Sequence, residues 1–156
     1  MTLVPSLLVP GTAEEMATYY VDVFPDGEIL DVFRAPMPDG TEQVITASIR
    51  INGTQIQFVN GGQGETFNDS VSLTINCEGQ DEVDHFWNRF VGDGGKERDC
   101  GWCEDTFGFR WQVIPVEMPR LLQDPDPERA GRAMQAMMTM QKIDINAMKA
   151  AVEGNA

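Results

Sequence analysis

Residues 13–27, "AEEMATYYVDVFPDG", and residues 80–94, "QDEVDHFWNRFVGDG", carry one pattern twice, 67 positions apart. Met16, Tyr19, Tyr20 and Val23 fall at i, i+3, i+4 and i+7, and Val83, Phe86, Trp87 and Phe90 do the same. Each set is the apolar stripe of an amphipathic helix. Each stretch follows a strand-like run, "LVPSLLV" (3–9) and "SVSLTIN" (70–76), and ends in an Asp-Gly where the chain can turn. A second echo lies 55 positions apart, "NGTQIQFV" (52–59) against "FGFRWQVI" (107–114), with Gly53 over Gly108 and Gln57 over Gln112. Two echoes in the same order, each beside a strand, indicate a duplicated unit rather than two unrelated helices.

Strands fill the space between these marks. "EILDVFR" (28–34) reads as an edge strand, and "VITASIRI" (44–51) alternates Ile45, Ala47, Ile49 and Ile51 with polar residues. Asn52-Gly53 tolerates positive φ and predicts a tight hairpin into residues 54–59. The order is strand, helix, strand, strand, strand, and then broadly the same again, an α+β arrangement. The segments 36–40 and 60–69 read as loops; the second is glycine-rich but lacks the Lys-Ser/Thr ending of a phosphate-cradling loop. The tail, 121–156, differs in character. Asp126 and Pro127 open one predicted helix, with Ala130, Ala133, Met134, Met137, Met138 and Gln141 on one stripe, and Asp144 caps a second over 145–152. That methionine-rich stripe fits a helix packed on its own sheet or on a partner subunit; a promiscuous peptide groove is the alternative.

The chain has 156 residues, 25 acidic against 11 basic, for a formal charge of −14. With no basic cluster to offset that repulsion, nucleic acid and anionic membrane surfaces are excluded as partners. The N-terminal apolar run has no basic flank and is too short for a signal peptide, and no stretch reaches the length of a membrane span. Three cysteines in such a chain indicate free thiols and a cytoplasmic location.

Two of those cysteines form the Cys-x-x-Cys of "DCGWCED" (99–105). A dithiol redox centre lowers the pKa of its first thiol, whereas Asp99, Glu104 and Asp105 raise it here. A zinc site needs two more soft ligands, and only Cys77 and His85 are on offer. His85 beside Asp84 does not build a nucleophilic triad, because neighbours one apart on a helix point in different directions. Arg34, Arg50 and Arg110 lie in strand patterns, where an inward guanidinium would hold an anion; an outward, solvated side is the commoner outcome.

The stretches 13–29, "FVNGG" (58–62), "SLTINCEGQDEVDHFWNRF" (72–90), "CGWCEDTFGFRWQVIP" (100–115) and 121–145 together resemble the PhnB-like branch of the vicinal-oxygen-chelate superfamily. Members of this branch often carry a demethylubiquinone methyltransferase label, and it is likened to glyoxalase and to fosfomycin- and bleomycin-resistance proteins. The resemblance implies duplicated βαβββ modules forming a glyoxalase-like cup, with C-terminal helices, in a homodimer. The expected division is a first module over 1–62, a second over 63–120 and a helical tail over 121–156, all in one globular domain. The superfamily's metal ligands match Pro5, Gln57, Ser70 and Gln112, which bring no imidazole, thiolate or carboxylate, so no metal and no cofactor are expected.

What remains is a cavity that takes a small-molecule ligand. Its candidate contacts are Gln57 and Gln112, at equivalent places in the two units, and Cys100 and Trp102 in the cavity-wall segment "CGW", with Ser70 and Asn60 behind them. A hydrogen-bonded core pair of glutamines, and a hairpin whose Cys100 and Trp102 simply fill the core, are the plainer readings. Two functional alternatives stand beside ligand binding. One is an enzyme, either the labelled methyl transfer or a glyoxalase-type isomerase or lyase using a thiol. The other is a dimeric scaffold without a ligand.

Overall fold

The computed structural model describes residues 3–154 and divides between Thr66 and Phe67 into two compact units. Both are α+β, each built on a four-stranded mixed sheet, with three further helices following the second sheet.

In the first unit, β1 (Ser6–Val9) leads into α1 (Ala13–Val23), followed by β2 (Glu28–Pro36), β3 (Glu42–Ile51) and β4 (Thr54–Asn60). The sheet order is β1-β4-β3-β2, with β1 parallel to β4 and the other pairs antiparallel. Asn52, at φ 45°, and Gly53, at φ 71°, make the expected β3–β4 turn. The helix α1 lies on β3 and β4. Met16, Ala17, Tyr20 and Val23 are buried with Ala47, Ile49, Ile51, Ile56 and Phe58, and the Tyr20 and Phe58 rings sit 5.7 Å apart. Because strand side chains alternate, Gln57 points away from the helix.

The second unit repeats the order as β5 (Leu73–Cys77), α2 (Gln80–Gly92), β6 (Lys96–Glu97), β7 (Trp102–Glu104) and β8 (Arg110–Pro115), with sheet order β5-β8-β7-β6. Val83, Phe86, Trp87 and Phe90 are buried, and Phe90 stacks on Trp111 at 4.7 Å between ring centres. Each such aromatic ring removes roughly 150–250 Å² from water, which makes this stack a main source of cohesion between α2 and the sheet. The middle hairpin is much reduced: β6 and β7 have 2 and 3 residues, where β2 and β3 have 9 and 10. That shortening is why the helices echo at 67 positions but the last strands at 55.

The tail forms α3 (Met118–Leu122), α4 (Pro127–Met138) and α5 (Ile145–Val152). Asp126 accepts the N–H of Glu128 and Asp144 that of Ala147, so both expected caps form. The five-residue α3 has too few residues to show a period and was not foreseen. The buried stripe of α4 also differs from the sequence reading. Ala133, Ala136, Met137 and Met140 pack with Ile114, Ile143, Ile145 and Met148, while Met134 and Met138 are exposed. Ile114 belongs to β8, so the tail covers one end of the second sheet on the side away from α2.

Candidate functional site

The helix-free side of the second sheet is built from three cross-strand rows. Ile114, at one end, lies under the tail. In the middle Trp102 is opposite Gln112, and at the other end Glu104 is opposite Arg110, with Lys96 beyond Glu104. Rows on one face are two residues apart, about 7 Å. Beside the last two rows a concave surface of about 750 Å³ is lined by Asp69, Lys96, Glu97, Arg98, Asp99, Trp102, Glu104 and Gln141.

Charge is concentrated in that hollow. Glu104 accepts from Arg98 Nε at 2.8 Å and from its Nη2, lies 3.5 Å from Arg110 Nη1, and has Lys96 Nζ at 4.0 Å. Asp69 accepts from Arg110 Nε at 2.6 Å and lies 3.3 Å from Arg98 Nη1. Two guanidinium groups are thus bracketed by two carboxylates of very different setting. Glu104 is 8% exposed on a strand, whereas the Asp69 side chain is 64% exposed in the segment before β5. The hydrogen bond from Arg110, helped by the charges of Arg98 and Arg110, holds the Asp69 carboxyl below the usual range. Arg98 is pushed up, first by its hydrogen bond to Glu104. Arg110, at 9% exposure, is buried rather than solvated, a correction to the outward placement expected from alternation. Alternation says which face a residue takes but not what covers that face.

Below the hollow, Asp105 anchors the β7–β8 turn. Its carboxylate accepts the N–H groups of Phe107 at 2.9 Å and Phe109 at 3.0 Å, and Trp111 Nε1–H at 2.8 Å. Glu104 and Asp105 are neighbours on opposite sides of the strand, so this buried turn fixes the height at which Glu104 meets Arg110.

The six residues singled out from the sequence fall in both units, Gln57 and Asn60 in the first and Ser70, Cys100, Trp102 and Gln112 in the second, and each has its own surroundings there. Gln57 accepts from Ser6 Oγ at 3.3 Å, and Gln112 donates to Ser72 Oγ at 2.8 Å. Each glutamine lies on the helix-free side of its own sheet, bonded to a serine in or just before the parallel neighbouring strand, β1 or β5. Trp102 shares its row with Gln112 and is half-buried at the hollow. Asn60 follows the parity of Ile56 and Phe58. It accepts the N–H of Ala13 at 3.0 Å and donates to Val44 O at 2.9 Å, clamping α1 to the sheet. Ser70 is exposed in a turn, its N–H bonded to Asn68 Oδ1, and Ser72 is the serine that reaches Gln112.

Cys100 adopts φ 58° and faces the tail: its N–H donates to Met140 O at 2.8 Å and its Sγ lies 3.8 Å from Met137 O. Cys103 is buried on the opposite side, and desolvation, aided by Asp105 and Glu104, pushes its thiol up to about 12. Desolvation does the same to Cys77, also to about 12. Neither thiol is prepared for nucleophilic attack. The sequence reading missed Arg98, Glu104 and Asp69 as a group. Their only signal was three charged residues near an otherwise apolar repeat, with partners set by pairing too distant to read.

The superfamily's divalent-metal chemistry meets a poor donor set at the matched positions. Gln57 and Gln112 are neutral amides already bonded to serine hydroxyls, and Pro5 offers no side-chain donor. Among the described residues no three His, Cys, Asp or Glu side chains gather as a metal-binding group. Also among the described residues, no helix is long and apolar enough to cross a membrane.

Comparison with known proteins agrees with this architecture. The sequence model of the family described as 3-demethylubiquinone-9 3-methyltransferase matches residues 1–114. No match is found among curated proteins. Among solved structures, a PhnB protein from Bacillus cereus is 26% identical, with a TM-score of 0.66, covering 74% of this chain and 99% of that one. The protein PA1353 from Pseudomonas aeruginosa is 18% identical, with a TM-score of 0.62 and coverage of 74% and 97%. The fosfomycin resistance protein FosX from Listeria monocytogenes, 12% identical at a TM-score of 0.51 with coverage of 74% and 90%, shares the fold alone. With the family pattern spanning most of the sequence and two strand-helix-sheet units beneath it, the chain belongs to the 3-demethylubiquinone-9 3-methyltransferase family, in the PhnB-like branch of the vicinal-oxygen-chelate superfamily.

Proposed function

We propose that this protein binds a small organic ligand, without a metal ion, in the hollow on the helix-free side of its second sheet. The observation that carries the reading is the hollow itself: about 750 Å³, lined by Trp102 and by Arg98 and Glu104, with Arg110 paired to Glu104 behind them. A flat apolar surface beside fixed charges fits a pocket that orients one amphipathic molecule. Gln112 borders Trp102, and its amide oxygen offers an acceptor in addition to the serine contact of its nitrogen.

Binding is favoured over catalysis by the state of the reactive groups. Both oxygens of Glu104 face cationic nitrogens, so this carboxylate neutralises charge rather than abstracting a proton. The neutral amides of Gln57 and Gln112, each bonded to a serine hydroxyl, support metal independence, and the orientation of Cys100 toward the tail counts against a thiol enzyme. The family description names methyl transfer. The turn after β1 holds one glycine, Gly11, rather than the glycine-rich loop of a doubly wound methyltransferase domain.

Native mass spectrometry of untagged protein, before and after denaturation and with metal analysis in parallel, tests the proposal. A released organic molecule with no stoichiometric metal supports it; one bound divalent ion per subunit overturns it. The same spectrum reports subunit number and so tests the homodimer expected of this branch.

A further inference from the structure

We infer that Asp69 occupies, from within the chain, the place of a ligand carboxylate, and that the hollow takes planar apolar molecules bearing one carboxylate. The inference rests on the binding reading above and names its ligand class.

Lys96, Arg98 and Arg110 converge on Glu104, which neutralises one of the three. Glu97 is drawn aside by Trp87 Nε1–H, which it accepts at 3.2 Å. Arg110 Nη1 also donates to the Gly108 carbonyl, which leaves Arg98 Nη1 and Arg110 Nε for Asp69, a single carboxylate shared between them. Unlike Glu104, Asp69 is mostly exposed and sits in a segment without regular secondary structure, so an incoming carboxylate displaces it without breaking the sheet. Arg98 and Arg110 are then restored to full pairing by an equivalent group in the same geometry. Trp102 lies one row away on the same face, about 7 Å along the strand. A carboxylate held by the arginines therefore directs a flat body of one ring over the Trp102 indole. Asp99 borders the hollow on the Arg98 side and repels a second negative charge, which selects a monoanion. The formal charge of −14 slows anion capture at long range, but screening beyond roughly 8 Å at physiological salt confines that penalty to the encounter.

The test is an NMR titration of the full chain with benzoate, acetate and uncharged benzamide, reading the Nε–H signals of Arg98, Arg110 and Trp102. Benzoate is expected to shift all three, and acetate only the arginines. Removing the internal competitor with Asp69→Asn, repeated with Asp69→Ala, tightens benzoate binding at least ~5-fold, because the apparent Kd is the intrinsic Kd divided by the competent fraction. Arg98→Lys keeps the charge, loses the fork and weakens benzoate. Unchanged benzoate affinity in both Asp69 variants overturns the displacement. Equal binding of benzamide and benzoate at Trp102 overturns the carboxylate assignment while leaving the binding reading intact. If no probe moves Trp102 and native mass spectrometry releases no molecule, both fall.

Discussion

Replacing Asp105 with alanine tests whether the turn under the hollow is held by its carboxylate. The side chain is 2% exposed and accepts three N–H groups, from Phe107, Phe109 and Trp111. Phe109 and Trp111 are themselves buried, so two of these donors have no water to turn to, whereas the half-buried Phe107 amide regains part of its loss from solvent. A buried donor left unsatisfied costs about 1–3 kcal/mol, which sets the Asp105→Ala penalty at roughly 3–5 kcal/mol. With a urea m-value near ~2 kcal/mol/M, the unfolding midpoint falls by about 1.5–2.5 M, measured by tryptophan fluorescence. Asp105→Asn retains one acceptor oxygen for the backbone pair but turns a donor toward the indole, and lands between wild type and alanine. The Arg98 and Arg110 Nε–H signals move in both variants, because the turn sets the register of Glu104 against Arg110. An alanine variant within about 1 kcal/mol of wild type, or an asparagine variant less stable than alanine, refutes the reasoning.

Four further outcomes are expected. Alkylation of the native protein at pH 8, followed by mass spectrometry, modifies Cys100 before Cys77 or Cys103, whose thiols burial pushes up to about 12. Because those folded-state values exceed the ordinary 9.0, the folded chain holds the protons more tightly; that stability is complete below pH 9 and is lost as pH rises toward 12, read as a falling Tm. Gly95→Ala places a Cβ 2.0 Å from the Glu104 carbonyl oxygen and 2.5 Å from that of Phe90, so β7 must move; a loss above ~3 kcal/mol or insoluble expression is expected, together with weakened benzoate binding. Asp144→Ala removes the N-cap of α5 and costs about 1 kcal/mol by urea unfolding, leaving the Trp102 signal in place.

The caps of α4 and α5, the Asn52-Gly53 turn and the stripes of α1 and α2 were all legible from the sequence, because each depends on residues within a few positions of one another. Duplication supplied the order of elements, and the difference between echoes at 67 and 55 positions already contained the loss of twelve residues (67 − 55) from the second hairpin. The face taken by α4 was not legible. Several registers of an Ala- and Met-rich helix offer an apolar stripe, and contact with Ile114, Ile143 and Met148 selects among them.

The candidate site was settled at the same tertiary level. Asp69 and Arg110 are 41 positions apart, and their 2.6 Å contact exists only because β8 pairs with β5, the strand that the Asp69 segment enters. Cys100 and Trp102 look alike as members of "CGW", yet a left-handed backbone at Cys100 sends its sulfur to the tail while Trp102 borders the hollow. Local periodicity and turn chemistry therefore determined which elements form. Strand register and the docking of the tail decided which charged groups meet, since electrostatic partners are fixed by distance in space and leave no period in the chain.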